Sequence, residues 1–398
     1  MGHAGATAVE LESGRFLAER ARPFAGTPLQ TKPDRPPIVL SQGTPDLPTP
    51  RHAIAAVEEY LSSGKVYYTF HDGMPELRAA IARKLRDEND VDYDPVTEII
   101  VTAGAQEAMF VALFGTLDPG DEVIVPDPRY AVYDEVIQMV GAVVKPVPVD
   151  VEAGFLLQPE AIAAAVTERT KAILVISPDH PSGAVQPRER LAAVGEIARR
   201  HDLLIYADEL YERFVFDGVR HVSVAALPGL KERTLTINGF SKAFAMTGWR
   251  VGYLALPAAL KPALTVLKHA TSICAPTPSQ IAALAILEGP REPLDEMMAE
   301  WGARREYLYD RLAGMDLPMR RTPGSYYVLG DIRRTGLSSR EFSSRLQAEE
   351  EVRVSPGSAF GQQGEGMVRL SFMTPKPELA EGLDRLERFW KRVTTDRT

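Results

Sequence analysis

The sequence contains a single cysteine, Cys274, among its 398 residues. One cysteine cannot form a disulfide within the chain, and no cysteine-based metal site can be built from it. No stretch approaches the roughly 20 apolar residues that a membrane-spanning helix needs. Residues 1–10 also lack the basic start and apolar run of a secretory signal. We therefore expect a cytoplasmic protein in a reducing compartment, with no metal and no membrane partner.

An excess of basic charge is absent as well. The chain has 45 basic and 54 acidic residues, which gives a formal net charge of -9. An acidic balance of this kind offers no electrostatic surface for nucleic acid. The sequence has no G-x-G-x-x-G after its first strand, no P-loop and no metalloprotease helix motif. These absences exclude nucleic acid as an expected partner and argue against a Rossmann dehydrogenase.

Short apolar segments alternate with amphipathic segments from about residue 96 onward. The apolar segments predict strands, and segments between them, such as 105–117 and 189–200, predict helices. Strands that alternate with helices favour an α/β fold with a mostly parallel sheet covered on both faces. The predicted strands are 98–102, 122–125, 171–176, 203–207, 234–237 and 251–256.

The last third of the chain has a different pattern. Residues 277–313 and 377–393 are predicted helices, and short strands are spaced between them near Tyr326, Val352 and Met367. This pattern indicates a smaller unit of mixed α and β structure. Because 398 residues exceed the usual size of one hydrophobic core, two packed units are expected.

One segment between two predicted strands carries the strongest chemical signal. Residues 238–252 read Asn-Gly-Phe-Ser-Lys-Ala-Phe-Ala-Met-Thr-Gly-Trp-Arg-Val-Gly. Lys242 therefore sits just past the carboxyl end of a strand, where open α/β sheets bind ligands. Arg250 follows eight positions later, and its planar guanidinium suits a phosphate. An isolated lysine in a turn is usually a surface residue, so the interpretation depends on the whole string.

The string from Ser241 to Gly252 follows the pattern S-K-x-x-x-M-T-G-W-R-x-G. It closely resembles the cofactor-lysine signature of class I aminotransferases, which are fold-type-I pyridoxal-phosphate enzymes. The resemblance implies pyridoxal 5'-phosphate as the cofactor, an amino acid and a 2-oxo acid as substrates, and a homodimer. Lys242 would form a Schiff base with the cofactor and later move a proton. Arg250 would hold the phosphate, with Ser241 nearby.

The resemblance extends from about Leu40 to the C-terminal helix, and it also implies the architecture. We expect a fold-type-I transferase, with a mostly parallel seven-stranded sheet in a three-layer large domain and a smaller α+β domain. The expected large cofactor-binding domain covers residues 46–285, and the small domain covers 286–398. Residues 1–45 would form an N-terminal arm that joins the small domain, because chain ends often pack together.

Two further segments match the family's cofactor site. Asp208 ends a predicted strand, and the string Asp-Glu-Leu-Tyr that it opens is similar to the family's ring-binding segment. Asp208 would keep the pyridine nitrogen protonated, and Tyr211 would hydrogen-bond the phenolic oxygen. Gly104, Ala105 and Gln106 open a helix after a strand, as in the family's phosphate loop. Backbone N–H groups at a helix N-terminus favour a phosphate.

The remaining matches lie on loops and on a late strand. Tyr130 would stack on the cofactor ring, whereas its neighbour Tyr133 is interpreted as a core tyrosine. Tyr68 would reach the phosphate of a neighbouring subunit, which gives the homodimer shared active sites. Gly43 would let the backbone approach the substrate closely. Arg369 would hold the substrate's α-carboxylate with two parallel hydrogen bonds.

The sequence departs from the family pattern at His180. Residues 177–183 read Ser-Pro-Asp-His-Pro-Ser-Gly, and the family asparagine that donates to the cofactor's phenolic oxygen aligns with His180. Imidazole can donate from one nitrogen, but it is bulkier and titrates near neutrality. One interpretation is a tolerated replacement in an ordinary aminotransferase. The other is altered chemistry, since the hydrogen bonds at that oxygen direct electron flow.

These features leave three functional interpretations. The leading one is amino-group transfer from an amino acid to a 2-oxo acid. The alternative is an atypical enzyme on the same scaffold, such as a β-lyase, a decarboxylase or an oxidative deaminase. A ligand-sensing transcription regulator is disfavoured, because the resemblance starts near residue 40 and the net charge is negative. No motif identifies the substrate side chain, and none places the second cation that a dicarboxylic substrate needs.

Overall fold

The computed structural model describes residues 17, 18, 21, 22 and 36–395. Most of the predicted N-terminal arm therefore lies outside the described residues. Twelve strands are present in the described part of the chain: β1 (Ile38–Val39), β2 (Ile99–Thr102), β3 (Glu122–Asp127), β4 (Val143–Pro148), β5 (Thr170–Ile176), β6 (Leu204–Asp208), β7 (Thr234–Gly239), β8 (Gly252–Ala255), β9 (Tyr327–Asp331), β10 (Val352–Arg353), β11 (Ser355–Pro356) and β12 (Met367–Ser371).

The same described part of the chain also contains eleven α-helices. The helices are α1 (Arg51–Ser62), α2 (Pro75–Asn89), α3 (Ala105–Thr116), α4 (Val132–Met139), α5 (Pro159–Ala165), α6 (Arg188–Arg200), α7 (Lys261–Ser272), α8 (Thr277–Glu288), α9 (Glu292–Gly314), α10 (Ser339–Glu350) and α11 (Lys376–Thr395). The helical region predicted over 277–313 is thus two helices, α8 and α9. No helix in the described ranges is long and apolar enough to cross a lipid bilayer.

The central sheet has seven strands in the order β2-β8-β7-β6-β5-β3-β4. All its neighbours pair in parallel except β8, which runs antiparallel to both β2 and β7. The predicted mostly parallel seven-stranded sheet is confirmed. Because β2 and β7 both run opposite to β8, their carboxyl ends lie at the same edge of the sheet as those of β3, β5 and β6. This shared edge gathers the loops that carry the predicted site.

Both faces of this sheet are covered, as the predicted three-layer fold requires. Leu174 of β5 packs in the apolar cluster that contains α3, whereas its neighbours Ile173 and Val175 pack in the cluster that contains α6. Successive side chains of a strand point to opposite faces, so continuous apolar runs indicate burial on both sides. The same alternation holds in β6, where Tyr206 and Ile205 enter different clusters.

The later part of the chain forms two small sheets with their own helices. Strands β11, β12 and β9 make an antiparallel sheet, and β1 pairs in parallel with β10. Gly382 of helix α11 packs against Ile38 and Leu40. The segment around β1 therefore packs against this later unit. The division into domains at residues 45 and 285 stays a prediction.

Candidate active site

A cavity of about 380 Å³ lies at the carboxyl end of the central sheet. Eleven of the thirteen predicted site residues line it: Gly43, Ala105, Gln106, Tyr130, His180, Asp208, Tyr211, Ser241, Lys242, Arg250 and Arg369. The other two are Gly104, which lies beside the lining residue Arg250, and Tyr68. The Tyr68 side chain is 77% exposed and does not line the cavity of its own chain. Residues more than 300 positions apart thus meet at one edge of the sheet.

Lys242 enters the cavity from the turn that follows β7. Its Nζ donates to the backbone carbonyl of Gly43 at 2.9 Å. Burial, with the positive charges of Arg369 and Arg250, lowers the pKa of Lys242 below its ordinary value. A lowered pKa increases the neutral fraction of the amine at neutral pH. The neutral amine is the form that attacks carbonyl groups and accepts protons.

Asp208 is the last residue of β6, and its carboxylate is buried beside the cavity. Its Oδ2 accepts a hydrogen bond from the hydroxyl of Tyr133 at 2.6 Å, and its Oδ1 accepts from the backbone N–H of Leu210 at 3.0 Å. Burial raises the pKa of Asp208, and the Tyr133 hydroxyl opposes that rise. A buried carboxylate is costly unless it meets donors or a cation. Asp208 is therefore suited to hold a protonated ring nitrogen.

Tyr133 makes a contact that its sequence pattern does not indicate. The pattern predicts a core tyrosine, and the ring is indeed buried, in the apolar cluster around α3. Its hydroxyl nevertheless reaches Asp208 and lines the cavity. The ring fills the core while the hydroxyl serves the site, which is common for tyrosine because one end is apolar and the other polar.

Gly104 and Arg250 lie together at the N-terminus of α3. Gly104 has φ +81 and begins the helix, and a Cβ on it would overlap the Arg250 guanidinium. Arg250 Nη1 donates to the Thr247 carbonyl at 3.0 Å, which holds the side chain beside the helix end. Free backbone N–H groups at a helix N-terminus together with an arginine make a site for a phosphate.

Aromatic rings form much of the cavity wall. Tyr130 packs edge-on against His180, with ring centroids 4.8 Å apart and an interplanar angle of 81°. Tyr327 packs against the same imidazole at 4.4 Å. Tyr211 lies nearly parallel to the His180 ring, at 6.3 Å and 11°. Flat apolar faces of this kind can pack against a conjugated ring.

Arg369 extends from β12 into the cavity, with two aromatic rings beside it. Its guanidinium carbon lies 4.2 Å from the Tyr327 ring centroid and 4.8 Å from that of Phe360. Its Nη2 donates to the Ser41 carbonyl at 3.1 Å, and its Nη1 contacts His180 Nε2. Its buried Nε has no hydrogen-bond partner among the described residues. A buried charged donor without an acceptor fits a site that receives a carboxylate.

Six lining residues were not predicted as site residues: Thr44, Met109, Tyr133, Leu210, Thr247 and Tyr327. Three of them lie beside or within predicted motifs, so the motifs could have pointed to Thr44, Leu210 and Thr247. Tyr327 lies on β9, and only the pairing of β9 with β12 brings it next to Arg369. No local pattern in the sequence marks that pairing.

Comparison with known proteins agrees with this geometry. Residues 35–386 match the family described as aminotransferase class I and II. The chain is 40% identical over 353 residues to an aspartate aminotransferase of Pyrococcus abyssi, which covers 88% of this chain and 91% of the relative. It is also 40% identical over 350 residues to an arginine–pyruvate transaminase of Pseudomonas aeruginosa, which covers 88% of each.

Solved structures give the same result for the fold. The crystal structure of an aromatic aminotransferase from Pyrococcus horikoshii superposes with a TM-score of 0.87 and 39% identity, over 89% of this chain and 96% of that chain. A Thermus thermophilus aspartate aminotransferase variant superposes with a TM-score of 0.87 and 37% identity, over 94% of this chain and 99% of that chain. The chain therefore belongs to the class I and II aminotransferase family and has its fold-type-I architecture.

Proposed function

We propose that this enzyme transfers an amino group from an amino acid to a 2-oxo acid, with pyridoxal 5'-phosphate covalently joined to Lys242. The observation that carries this proposal is the half-buried amine of Lys242, with its lowered pKa, in one cavity with the buried carboxylate of Asp208. The relatives are named aminotransferases, which supports amino-group transfer over the lyase, decarboxylase and oxidase alternatives.

The donors in the cavity fit this cofactor. The N-terminus of α3, Arg250 and Ser241 suit its phosphate, and Asp208 suits its ring nitrogen. The Tyr211 side chain lines the same cavity, where its hydroxyl could donate to the phenolic oxygen. When bound, the cofactor supplies an electron sink for the bond that is broken at the substrate's Cα.

Three side chains of the cavity have separate roles around that bond. The Tyr133 hydroxyl and the Leu210 N–H stabilise the charged form of Asp208, which would keep the ring nitrogen protonated. As a neutral amine, which its lowered pKa favours, Lys242 would move the proton at the substrate's Cα. Arg369 would orient the substrate by its α-carboxylate, since its Nε lacks an acceptor among the described residues and its Nη2 donates to the Ser41 carbonyl and the Ser355 hydroxyl.

The proposal includes a homodimer in which Tyr68 of one subunit enters the site of the other. In a single chain Tyr67, Tyr68 and Phe70 are 71%, 77% and 65% exposed, which is unusual for three aromatic residues within four positions. Apolar surface of this kind is typical of a contact surface. The cytoplasmic location stays a prediction.

The experiment that tests the proposed function is an assay of both products. The cofactor-loaded enzyme is given single amino acids with and without 2-oxoglutarate or pyruvate. Transamination forms more than one equivalent of new 2-oxo acid per site only when an acceptor is present, and it releases no ammonia. Ammonia formed in step with the 2-oxo acid, or carbon dioxide released from the donor, would contradict the proposal.

Replacing Gly104 with alanine is expected to weaken cofactor binding by at least about tenfold, because the added Cβ overlaps the Arg250 guanidinium and disturbs a charge-assisted hydrogen bond. The measurement is the dissociation constant of pyridoxal 5'-phosphate from absorbance titration of apoenzyme. Gly218→Ala is the matched control, because Gly218 also has positive φ but a Cβ there meets nothing within 4 Å. Equal losses in both variants would show that backbone strain, and not the overlap, is responsible.

Replacing Tyr133 with phenylalanine is expected to lower kcat by about tenfold, because Asp208 loses a donor to its charged form. That donor lowers the pKa of Asp208, so its loss raises the pKa and favours the neutral acid. The acid limb of the kcat/KM profile therefore moves to higher pH. The measurement is the pH profile of both proteins. An unchanged limb would mean that Asp208 does not control it.

A further inference from the structure

The contact between His180 and Arg369 joins two residues that are 189 positions apart. Arg369 Nη1 faces the Nε2 atom of the imidazole, and both side chains are buried. The Tyr327 ring packs against both groups, at 4.4 Å from the imidazole centroid and 4.2 Å from the guanidinium carbon. His180 and Arg369 therefore act as one packed unit at the substrate end of the cavity.

The direction of this hydrogen bond follows from the chemistry of the two groups. A guanidinium has five N–H donors and no acceptor, and it stays charged in proteins. The Nε2 atom of His180 must therefore offer its lone pair. An imidazole that accepts at Nε2 is neutral and carries its proton on Nδ1. Burial, together with the positive charges of Arg369 and Lys242, lowers the pKa of His180 well below its ordinary value, which favours the neutral ring.

We propose that His180 is a positioning residue for Arg369, whose guanidinium it holds in place for the substrate's α-carboxylate as a neutral acceptor. This proposal rests on the proposed function of Arg369. The contact also differs from the role expected for the family asparagine, which donates to the cofactor's phenolic oxygen. While Arg369 occupies Nε2, that nitrogen cannot donate to any oxygen.

The shapes of the two side chains explain why this substitution changes the hydrogen bonding. A carboxamide presents an oxygen acceptor and an N–H donor at the same end. One asparagine can therefore accept from an arginine and donate to a neighbouring oxygen at once. Imidazole separates its two nitrogens across the ring, so only Nε2 of His180 faces Arg369. In this enzyme His180 can then donate only from Nδ1, and the Nε2 atom that faces Arg369 offers no donor to the phenolic oxygen.

The first test separates binding from turnover. His180→Phe keeps an aromatic ring beside Tyr327 but removes the acceptor, and it should raise KM for the amino donor about tenfold while kcat changes less than about threefold. His180→Asn restores an acceptor oxygen and should return KM to within about threefold of the wild-type value. If His180→Phe instead lowers kcat and leaves KM unchanged, His180 serves the chemical step and the proposal is wrong.

The second test measures which ring nitrogen of His180 carries the proton, and it does not depend on turnover. The seven histidines of the cofactor-loaded protein are labelled with ring ¹⁵N, and the His180 signals are those lost in His180→Asn. Between about pH 5.5 and 8.5, Nδ1 should carry a proton and Nε2 should carry none. A proton on Nε2 at any pH in this range would overturn the proposal. Failure of the proposed function itself would appear separately, as wild-type protein that transfers no amino group.

Discussion

Replacing Lys242 with alanine is expected to lower kcat for amino-group transfer by at least about 10⁴-fold, because the variant loses both the covalent link to the cofactor and the proton carrier at Cα. The amine is well placed for both tasks. It is half-buried, its pKa is lowered, and it donates to the Gly43 carbonyl in the cavity. The measurement is single-turnover kinetics with a purified variant that still binds cofactor.

Two controls make this result specific. Lys268→Met removes another buried lysine whose pKa is lowered by burial but which does not line the cavity. Its Nζ has no hydrogen-bond partner among residues 36–395, so its removal should leave kcat within about threefold. Small free amines should restore part of the activity of Lys242→Ala, because they replace the missing base. A Lys242→Ala variant that turns over at the wild-type rate would contradict the proposed function.

Replacing Asp208 with asparagine is expected to lower kcat by about 10³-fold, because a neutral amide does not hold the ring nitrogen in its protonated form. The change keeps the size of the side chain, and its oxygen can still accept from Tyr133 or from the Leu210 N–H. The loss would therefore reflect charge and not packing. The measurement is kcat at saturating cofactor, together with thermal unfolding to show that the variant is folded.

Asp208→Glu is the matched variant, because it keeps the negative charge and changes only the length of the side chain. It should retain more activity than Asp208→Asn, with a loss of about tenfold to a hundredfold from misplacement. If the glutamate variant is the poorer of the two, geometry and not charge is the property that matters at this position. An asparagine variant within about tenfold of wild type would contradict the assigned role.

The sequence predicted most of the central sheet because its strands are continuous apolar runs. Residues 171–176 and 203–207 had no competing helical period, and they form β5 and β6 to within one residue. Strand β4 was missed because Pro146 and Pro148 interrupt its pattern. Proline is tolerated there because β4 is at the edge of the sheet, where a missing N–H leaves no partner unpaired.

The site could be predicted wherever its residues lie in short motifs. Lys242 and Arg250 share one string, and Asp208 and Tyr211 share another, so the order of residues along the chain already places them together. The resemblance to a family supplied their expected roles. The strand order then explains why the two strings meet, since β6 and β7 are neighbours and end at the same edge.

Contacts between distant segments could not be predicted in this way. The His180 and Arg369 pair depends on how the β12 sheet sits against the loop after β5, and no periodicity encodes that arrangement. Tyr327 enters the cavity for the same reason. Tyr133 was interpreted as part of the core because a buried ring and a functional hydroxyl give the same sequence pattern. Its role became visible only from the 2.6 Å contact with Asp208.

Chemical trapping of the cofactor is the most direct test of the central claim. The enzyme is saturated with pyridoxal 5'-phosphate, reduced with borohydride, digested and mapped by peptide mass. We expect the added mass of the reduced cofactor on the peptide that contains Lys242, and on no peptide that lacks it. An unmodified Lys242 in cofactor-saturated protein, or stoichiometric labelling of a different lysine, would contradict the account.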